Sequence, residues 1–303
     1  MSLAAQALNK ASRLRLFTEF SILQSTVAIL STPMTNTYDT ISLSNPTSDL
    51  TGSTILTVTL DREAASNAFN TQMARDLIDV FEGLAANPDQ FRVIILTGRG
   101  EKAFCAGGDL KERNGMSDDD WQKQHLVFER MVRAVIDCPV PVIGAVNGAA
   151  FGGGCELVAA LDFAYAAEHA KFAQTETQLG IIPGIGGTQT LARAIGERRA
   201  KEYILSGRAF SANEAFQFGL VNEVLPSVAA LNEAVLQVAT RIANNAPLAV
   251  RQARQSIHKG LQMSLTDGMA FEVESYNQLV ATADRYEGIL AFNEKRKPVF
   301  TGT

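Results

Sequence analysis

The chain of 303 residues contains few of the side chains that most often bind metals or act as nucleophiles, with only three histidines and three cysteines. His125, His169 and His258 lie far apart and form no H-x-x-x-H pair, so a helix-borne zinc site is not expected. The cysteines are odd in number and form no C-x-x-C pair, which argues against a disulfide framework. Any enzymatic chemistry is therefore expected to depend on carboxylates or on backbone groups.

Charge and long apolar runs are also scarce. Only 19% of the residues are charged, the net charge is -5, and 46% of the residues are hydrophobic. An acidic balance does not favour nucleic acid as a partner, because nucleic acid binds to clustered basic side chains. The most apolar stretch, residues 140–167, is interrupted by Asn147, Glu156, Asp162 and five glycines. It falls short of the ~18 uninterrupted apolar residues of a membrane span, so no membrane partner is expected.

Residues 1–50 differ from the rest of the chain, because they are rich in Ser and Thr and show little periodicity. Lys10, Arg13 and Arg15 precede the first acid, Glu19, a pattern that is weakly compatible with a transit peptide in residues 1–33 and a mitochondrial matrix location. The alternative is a non-native leader before an initiator at Met34. We favour the second interpretation, with a flexible or non-native extension and a cytoplasmic protein.

From residue 51 onward, strand-like and helix-like patterns alternate, which predicts an α/β domain over residues 51–226. Residues 227–303 are helical in pattern and have too few apolar positions to form a core alone. They are therefore expected to pack on the first domain or on a neighbouring subunit. The predicted elements are strands at 56–60, 93–96 and 140–146, helices at 69–84, 121–137 and 155–161, and a loop from 99 to 108.

Two glycine-rich segments, residues 103–110 and 147–157, each begin where a strand ends. Consecutive glycines let the backbone approach a ligand closely, and a helix that starts just afterwards adds partial positive charge. One N–H from each segment could converge on a single oxygen and form an oxyanion hole. A tight turn is the preferred interpretation of either segment alone; it is less favoured for the two together, but it stays open. Gly184, Gly186 and Gly187 do not complete a dinucleotide fingerprint, because Gln189 occupies the third glycine position.

Glu156 is the most conspicuous acid, since it enters an apolar run directly after three glycines. Its alternative role is helix stabilisation, because a carboxylate in a first turn interacts favourably with the helix dipole. By pattern alone, Glu176 is expected to be a solvated loop acid. A second carboxylate beside the first would allow the pair to divide general-acid and general-base roles.

Taken together, these segments resemble the enoyl-CoA hydratase/isomerase (crotonase) family in order and spacing, from about residue 54 to Phe300. Residues 66–69 and 292–297 extend the match, whereas the first 50 residues lie outside it. The resemblance implies a crotonase-like spiral of repeated ββα units, followed by a C-terminal helical trimerisation segment. It also implies homotrimers, or hexamers built as dimers of trimers.

The resemblance implies a function and a set of site residues. The function is hydration of a 2-enoyl-CoA to 3-hydroxyacyl-CoA, with Glu156 and Glu176 as catalytic residues, and no cofactor beyond the coenzyme A of the substrate. The N–H groups of Ala106 and Gly153 are implied to form the oxyanion hole. Lys295 matches a position that reaches the phosphates of coenzyme A, and its alternative role is that of a helix C-terminal cation. The implied substrate-binding residues are Ala106, Gly107, Gly108, Asp109, Gly153 and Lys295.

Three alternatives remain open within the resemblance: an enoyl-CoA isomerase, a methylglutaconyl-CoA hydratase, and a non-catalytic relative that binds acyl-CoA or RNA. Residues 110–113 with Met116 resemble the methylglutaconyl-CoA hydratase branch, whose substrate is a branched dicarboxylic acyl-CoA. Two positions depart from the family pattern, namely Gly108, where Ala is more usual, and Thr175, where Pro often precedes the second glutamate. The first departure is expected to be tolerated, and the second to loosen the loop that carries Glu176.

Overall fold

The computed structural model describes residues 37–45 and 55–303. Within these ranges, the strands are β1 Ile41–Ser44, β2 Ile55–Leu60, β3 Val93–Gly98, β4 Ala103–Cys105, β5 Val142–Val146, β6 Ala149–Phe151, β7 Phe163–Ala167, β8 Lys171–Ala173, β9 Phe210–Ser211 and β10 Glu223–Leu225. The helices are α1 Thr71–Ala86, α2 Leu110–Arg113, α3 Asp118–Ile136, α4 Gly153–Ala160, α5 Gly187–Ile195, α6 Glu197–Ser206, α7 Ala212–Phe218, α8 Val228–Ala243, α9 Pro247–Gly260, α10 Leu265–Asn277 and α11 Ala283–Glu294.

From β3 to β8, successive strands alternate between two sheets. The six-stranded sheet has the order β1-β2-β3-β5-β7-β10, and the four-stranded sheet has the order β4-β6-β8-β9. Strands β3, β5 and β7 run parallel in the first sheet, and each is followed by a short strand that joins the second sheet. This repeated pairing of a long and a short strand confirms the predicted spiral α/β fold.

Two predicted boundaries differ from the structure. The expected loop at residues 99–108 contains β4, whose three residues are too few to give an alternating pattern. Strand β1 lies within the first 50 residues, yet it pairs antiparallel with β2, so the sheet starts earlier in the chain than predicted. The proposed transit peptide or leader in residues 1–33 lies outside the described residues.

The main core of the six-stranded sheet is covered by α8. Leu231, Val235, Ala239 and Ala243 recur at helical spacing and pack against the apolar side chains of β2, β3, β5 and β7. This helix belongs to the segment predicted at residues 227–303, so the beginning of that segment packs on the α/β domain. The later helices α9 to α11 expose large apolar side chains, including Ile257, Leu261, Leu265, Met269, Val273 and Phe292.

Asn147 fixes the position of both glycine-rich segments. Its side-chain oxygen accepts a hydrogen bond from the Gly98 N–H at 3.0 Å, and its nitrogen donates to the carbonyls of Gly100 at 2.8 Å and Ala103 at 3.2 Å. Asn147 is 1% exposed, so water cannot replace these partners. It therefore joins the end of β3, the start of β4 and the turn after β5.

Replacing Asn147 with Ala is expected to lower the free energy of unfolding by about 2–4 kcal/mol, because several buried backbone groups lose their partner. Urea denaturation monitored by circular dichroism measures this change. Asn232→Ala, at an exposed position of α8, is the matched control and should stay within about 0.5 kcal/mol of the wild type. Equal stability of the two variants would contradict the role assigned to Asn147.

Candidate active site

A cavity of about 950 Å³ lies where the glycine-rich segments meet the turn that carries Glu176. Its wall combines backbone from both segments, two carboxyl side chains, and apolar side chains from α3 and from residues 179–185. The lining includes Phe69, Ala106, Gly107, Gly108, Trp121, Phe128, Gly152, Gly153, Glu156, Glu176, Ile182 and Ile185. The structure thus brings together, around one cavity, most of the residues that the sequence singled out.

Glu156 lies in the first turn of α4, and its side chain is 3% exposed. Its Oε1 accepts two backbone hydrogen bonds, from Ile185 N–H at 3.0 Å and from Gly187 N–H at 2.7 Å. Gly187 must be glycine for this contact, because a Cβ there would lie 2.6 Å from the Glu156 Cγ. The glycine pattern at residues 184–187 does not complete a nucleotide fingerprint, and it gives no signal in the sequence for this role.

Glu176 begins a short 3-10 turn, Glu176–Leu179, and is 8% exposed. The pattern-based expectation of a solvated loop acid is therefore wrong, because the turn folds back against the cavity. Gln174, which is fully buried, lies beside it. With its amide nitrogen oriented toward Glu176, Gln174 donates to the two carboxylate oxygens at 3.2 and 3.1 Å. Sequence reasoning missed Gln174 because a polar residue in a polar segment gives no periodic signal.

The two carboxyl groups lie close enough to interact directly. Burial, with the negative charge of Glu176, raises the pKa of Glu156 to about 7, against the N–H groups of Gly187 and Ile185, which lower it. Burial also raises the pKa of Glu176, against a hydrogen bond with Glu156. Since two buried carboxylates side by side repel each other, the pair is expected to retain a proton near neutral pH.

The backbone donors differ from those that the resemblance implied. The Ala106 N–H donates to the Ser66 carbonyl at 3.1 Å, so Ala106 has no free donor for a ligand, and its assignment to the oxyanion hole is wrong. Among the described residues, no acceptor contacts the Gly108 N–H, two positions later in the same segment. The Gly153 N–H starts α4 and has no partner within that helix.

The two glycine-rich segments touch at this point. A Cβ on Gly107 would lie 3.1 Å from the Gly153 nitrogen and 2.8 Å from the Phe151 carbonyl oxygen. Gly107 also has φ +91°, in the region that favours glycine. Gly108 and Gly153 both line the cavity that also contains the carboxyl pair.

Two further residues implied by the resemblance do not line the cavity. Asp109 caps α2 by accepting from the N–H groups of Lys111 and Glu112, and its other oxygen pairs with Arg62 at 2.9 Å. Lys295 ends α11 with φ +56°. Its predicted contact with the phosphates of coenzyme A, across a subunit boundary, stays a prediction.

The three cysteines are buried and unpaired. Burial raises the pKa of Cys105 to about 12 and that of Cys138 to about 11, so these thiols stay neutral at physiological pH. Within 37–45 and 55–303, no group of three or more His, Cys, Asp or Glu side chains is arranged to hold a metal ion. In the same ranges, no helix is long and apolar enough to cross a membrane.

Comparison with known proteins identifies the class. The family model for enoyl-CoA hydratase/isomerase matches residues 51–303, and the chain belongs to this family. The chain is 38% identical to the short-chain-enoyl-CoA hydratase of Clostridium acetobutylicum over 80% of its own length and 92% of the relative. It is 39% identical to the 2,3-dehydroadipyl-CoA hydratase of Escherichia coli, over 82% of its own length and 95% of the relative.

A solved structure extends this similarity to three dimensions. The crystal structure of an enoyl-CoA hydratase from Bacillus anthracis superimposes with a TM-score of 0.83 at 42% identity. The superposition covers 87% of this chain and 100% of that chain. The two-sheet architecture is thus the fold of the family.

The raised pKa of Glu156 makes stability depend on pH. Between the ordinary carboxyl value of 4.5 and about 7, the folded protein holds a proton that the unfolded chain has lost, so the free energy of unfolding falls as pH rises. In Glu156→Gln, this fall should be smaller by up to about 3 kcal/mol. Urea denaturation at pH 5, 6, 7 and 8 measures the difference.

The control for this pH experiment is Glu233→Gln, which removes an exposed carboxylate from α8. Its stability should decline with pH in parallel with that of the wild type. A parallel decline in Glu156→Gln as well would show that Glu156 titrates normally in the folded protein.

Proposed function

We propose that this protein is an enoyl-CoA hydratase, which adds water across the 2,3 double bond of a 2-enoyl-CoA to give a 3-hydroxyacyl-CoA. The observation that carries the proposal is the pair of buried carboxyl groups, Glu156 and Glu176, in the same cavity as two unpaired backbone N–H groups. The hydratases among the relatives support the same reaction. The proposed chemistry needs no cofactor, because coenzyme A enters as part of the substrate.

The oxyanion hole of the proposed mechanism consists of the Gly108 and Gly153 N–H groups. Both would donate to the thioester oxygen and stabilise the negative charge that develops there during addition. Such donors act strongly in a site that excludes water, where each is worth about 3–4 kcal/mol of transition-state stabilisation. Gly108 replaces Ala106 in this role because the Ala106 N–H is already bonded to Ser66.

The two glutamates divide the proton transfers. Glu156 removes a proton from water as the water oxygen bonds to the β-carbon, and the electron pair of the double bond moves to the thioester oxygen. Glu176 then donates a proton to the α-carbon as the thioester carbonyl reforms. The N–H groups of Ile185 and Gly187 favour the ionised form of Glu156 and support its role as the base.

Glu156→Gln and Glu176→Gln are each expected to lower kcat for hydration by about 10²- to 10⁴-fold, because each removes one proton-transfer group. Hydration of crotonyl-CoA, followed by loss of absorbance of the conjugated double bond, measures the change. Binding of saturated butyryl-CoA should stay within a few-fold of the wild type, since the backbone donors remain.

Product analysis distinguishes hydration from the isomerase alternative. Incubation with a 3-enoyl-CoA in H₂¹⁸O reports double-bond migration without incorporation of oxygen if the enzyme is an isomerase. Near-normal turnover in either glutamine variant would remove that glutamate from the mechanism. Failure of the wild type to hydrate any 2-enoyl-CoA would overturn the proposed function.

We also propose a trimer, or a hexamer of two trimers, assembled through helices α9 to α11. The support is the apolar surface of these helices, on which Leu261, Leu265 and Phe292 are each more than 80% exposed. Exposed apolar patches of this kind are typical of subunit interfaces. The location proposed is the cytoplasm, and the three free cysteines fit a reducing compartment.

Met269→Glu together with Val273→Glu, one turn apart on α10, is expected to dissociate the assembly, because two charges would be buried at the interface. Sedimentation velocity measures the oligomeric state. Glu274→Gln, at an exposed position of the same helix, is the control and should sediment like the wild type. A wild-type monomer, or an unchanged oligomer in the double variant, would contradict the proposed interface.

A further inference from the structure

Arg113 is a cationic residue in the cavity wall that the proposed mechanism does not use. It is the last residue of α2 and lies among Leu110, Trp121 and Phe128 in the lining. Burial lowers the pKa of its guanidinium group, which nevertheless stays protonated at neutral pH. A positive charge in this position is costly unless an anion compensates it.

Neighbouring side chains hold the Arg113 guanidinium in one orientation. Its Nε donates to Gln124 Oε1 at 2.8 Å, and its central carbon lies 4.1 Å from the ring centre of Trp121 and 5.1 Å from that of Phe128. Stacking and one anchored nitrogen leave the two terminal nitrogens as donors in a fixed plane. This arrangement suits bidentate recognition of a carboxylate.

The protein itself supplies no carboxylate to these terminal nitrogens. Among the described residues, Arg113 makes no ion pair, and its terminal nitrogens have no hydrogen-bond acceptor. The adjacent acid, Glu112, accepts instead from the Thr71 N–H at 2.9 Å and from Gln124 at 2.7 Å. Glu129, on α3, lies 3.4 Å from His125. Glu112 therefore acts on Arg113 only through its charge, without a hydrogen bond to the guanidinium, and Glu129 is engaged elsewhere.

The guanidinium also lies close to the proposed oxyanion hole. A Cβ built on Gly108 would be 3.9 Å from the Arg113 central carbon. If the thioester oxygen is bound at Gly108 and Gly153, the acyl chain that leaves the thioester therefore begins close to Arg113. A carboxylate near the far end of a short acyl chain is within reach, whereas a methyl group there would leave the charge without a partner.

We propose that Arg113 determines specificity by binding a carboxylate carried on the acyl chain, so that the preferred substrates are 2-enoyl-CoA thioesters of short dicarboxylic acids. This inference rests on the proposed hydratase function and names its substrate class. A phosphate of coenzyme A is the other anion that a guanidinium could bind. The two cases differ, because every coenzyme A thioester contains the phosphates and only a dicarboxylic one contains the second carboxylate.

The test compares ligands of equal chain length with and without the carboxylate. Glutaryl-CoA and pentanoyl-CoA are unreactive and report binding, while glutaconyl-CoA and 2-pentenoyl-CoA report hydration. Trp121 is the only tryptophan of the chain and stacks on Arg113, so its fluorescence, excited at 295 nm, follows binding directly. The variants are Arg113→Met, which retains apolar contact with the rings, and Arg113→Lys, which retains the charge.

The wild type is expected to bind glutaryl-CoA more tightly than pentanoyl-CoA. Arg113→Met should weaken glutaryl-CoA binding about tenfold or more while changing pentanoyl-CoA binding less than about twofold, because one charge-assisted pair is lost. Arg113→Lys should recover part of the preference. Arg130→Met, which removes an arginine paired with Glu82 outside this cavity, should behave like the wild type.

Equal losses for both ligands in Arg113→Met would overturn the proposal in favour of a phosphate contact or a packing role. Absence of a wild-type preference for glutaryl-CoA would overturn it as well. The hydratase function has a separate readout. If the carboxylate preference holds and neither unsaturated ester is hydrated, the specificity assignment stands and the proposed reaction fails.

Discussion

The pair of backbone hydrogen bonds from Ile185 and Gly187 to Glu156 is the interaction on which the site depends. A carboxylate that is 3% exposed is expensive to bury, and only donors supplied by the fold can offset that cost. These donors come from the segment that leads into α5, whereas Glu156 belongs to α4. The contact therefore fixes two helices and the carboxyl group of Glu156 at the same time. Glu176 therefore lies beside a carboxyl group whose position the backbone already fixes.

Close backbone approach is what makes this arrangement fit. A Cβ on Gly154 would lie 2.0 Å from the Cys105 carbonyl oxygen, and one on Gly107 would lie 3.1 Å from the Gly153 nitrogen. The glycines thus have two roles. They let the ends of β4 and β6 pack together, and they leave backbone amide groups unhindered. The ends of β4 and β6 lie together because each of these short strands follows a long strand of the other sheet by a few residues.

Much of the fold was predictable because its longer strands and helices bury apolar side chains at regular intervals along the sequence. Strand Ile55–Leu60 and helix Thr71–Ala86 show the alternation and the helical spacing that the sequence contains. Strand β4 has only three residues, which are too few for a period. The burial of Glu176 leaves no local pattern, since it results from a turn folding against a distant helix. Ala106 was assigned from motif position, and only the hydrogen bond to Ser66 shows that its N–H is already occupied.

The cavity separates its charges by function. The carboxyl pair shares a region with N–H groups that supply partial positive charge, which suits a reaction in which negative charge moves onto a thioester oxygen. Arg113 makes no ion pair among the described residues, and its guanidinium lies against the rings of Trp121 and Phe128. A guanidinium held in this way attracts an anion without neutralising Glu156 or Glu176. Charge recognition and proton transfer can therefore operate in one cavity, because backbone N–H groups hold Glu156 while the terminal nitrogens of Arg113 stay available to the substrate.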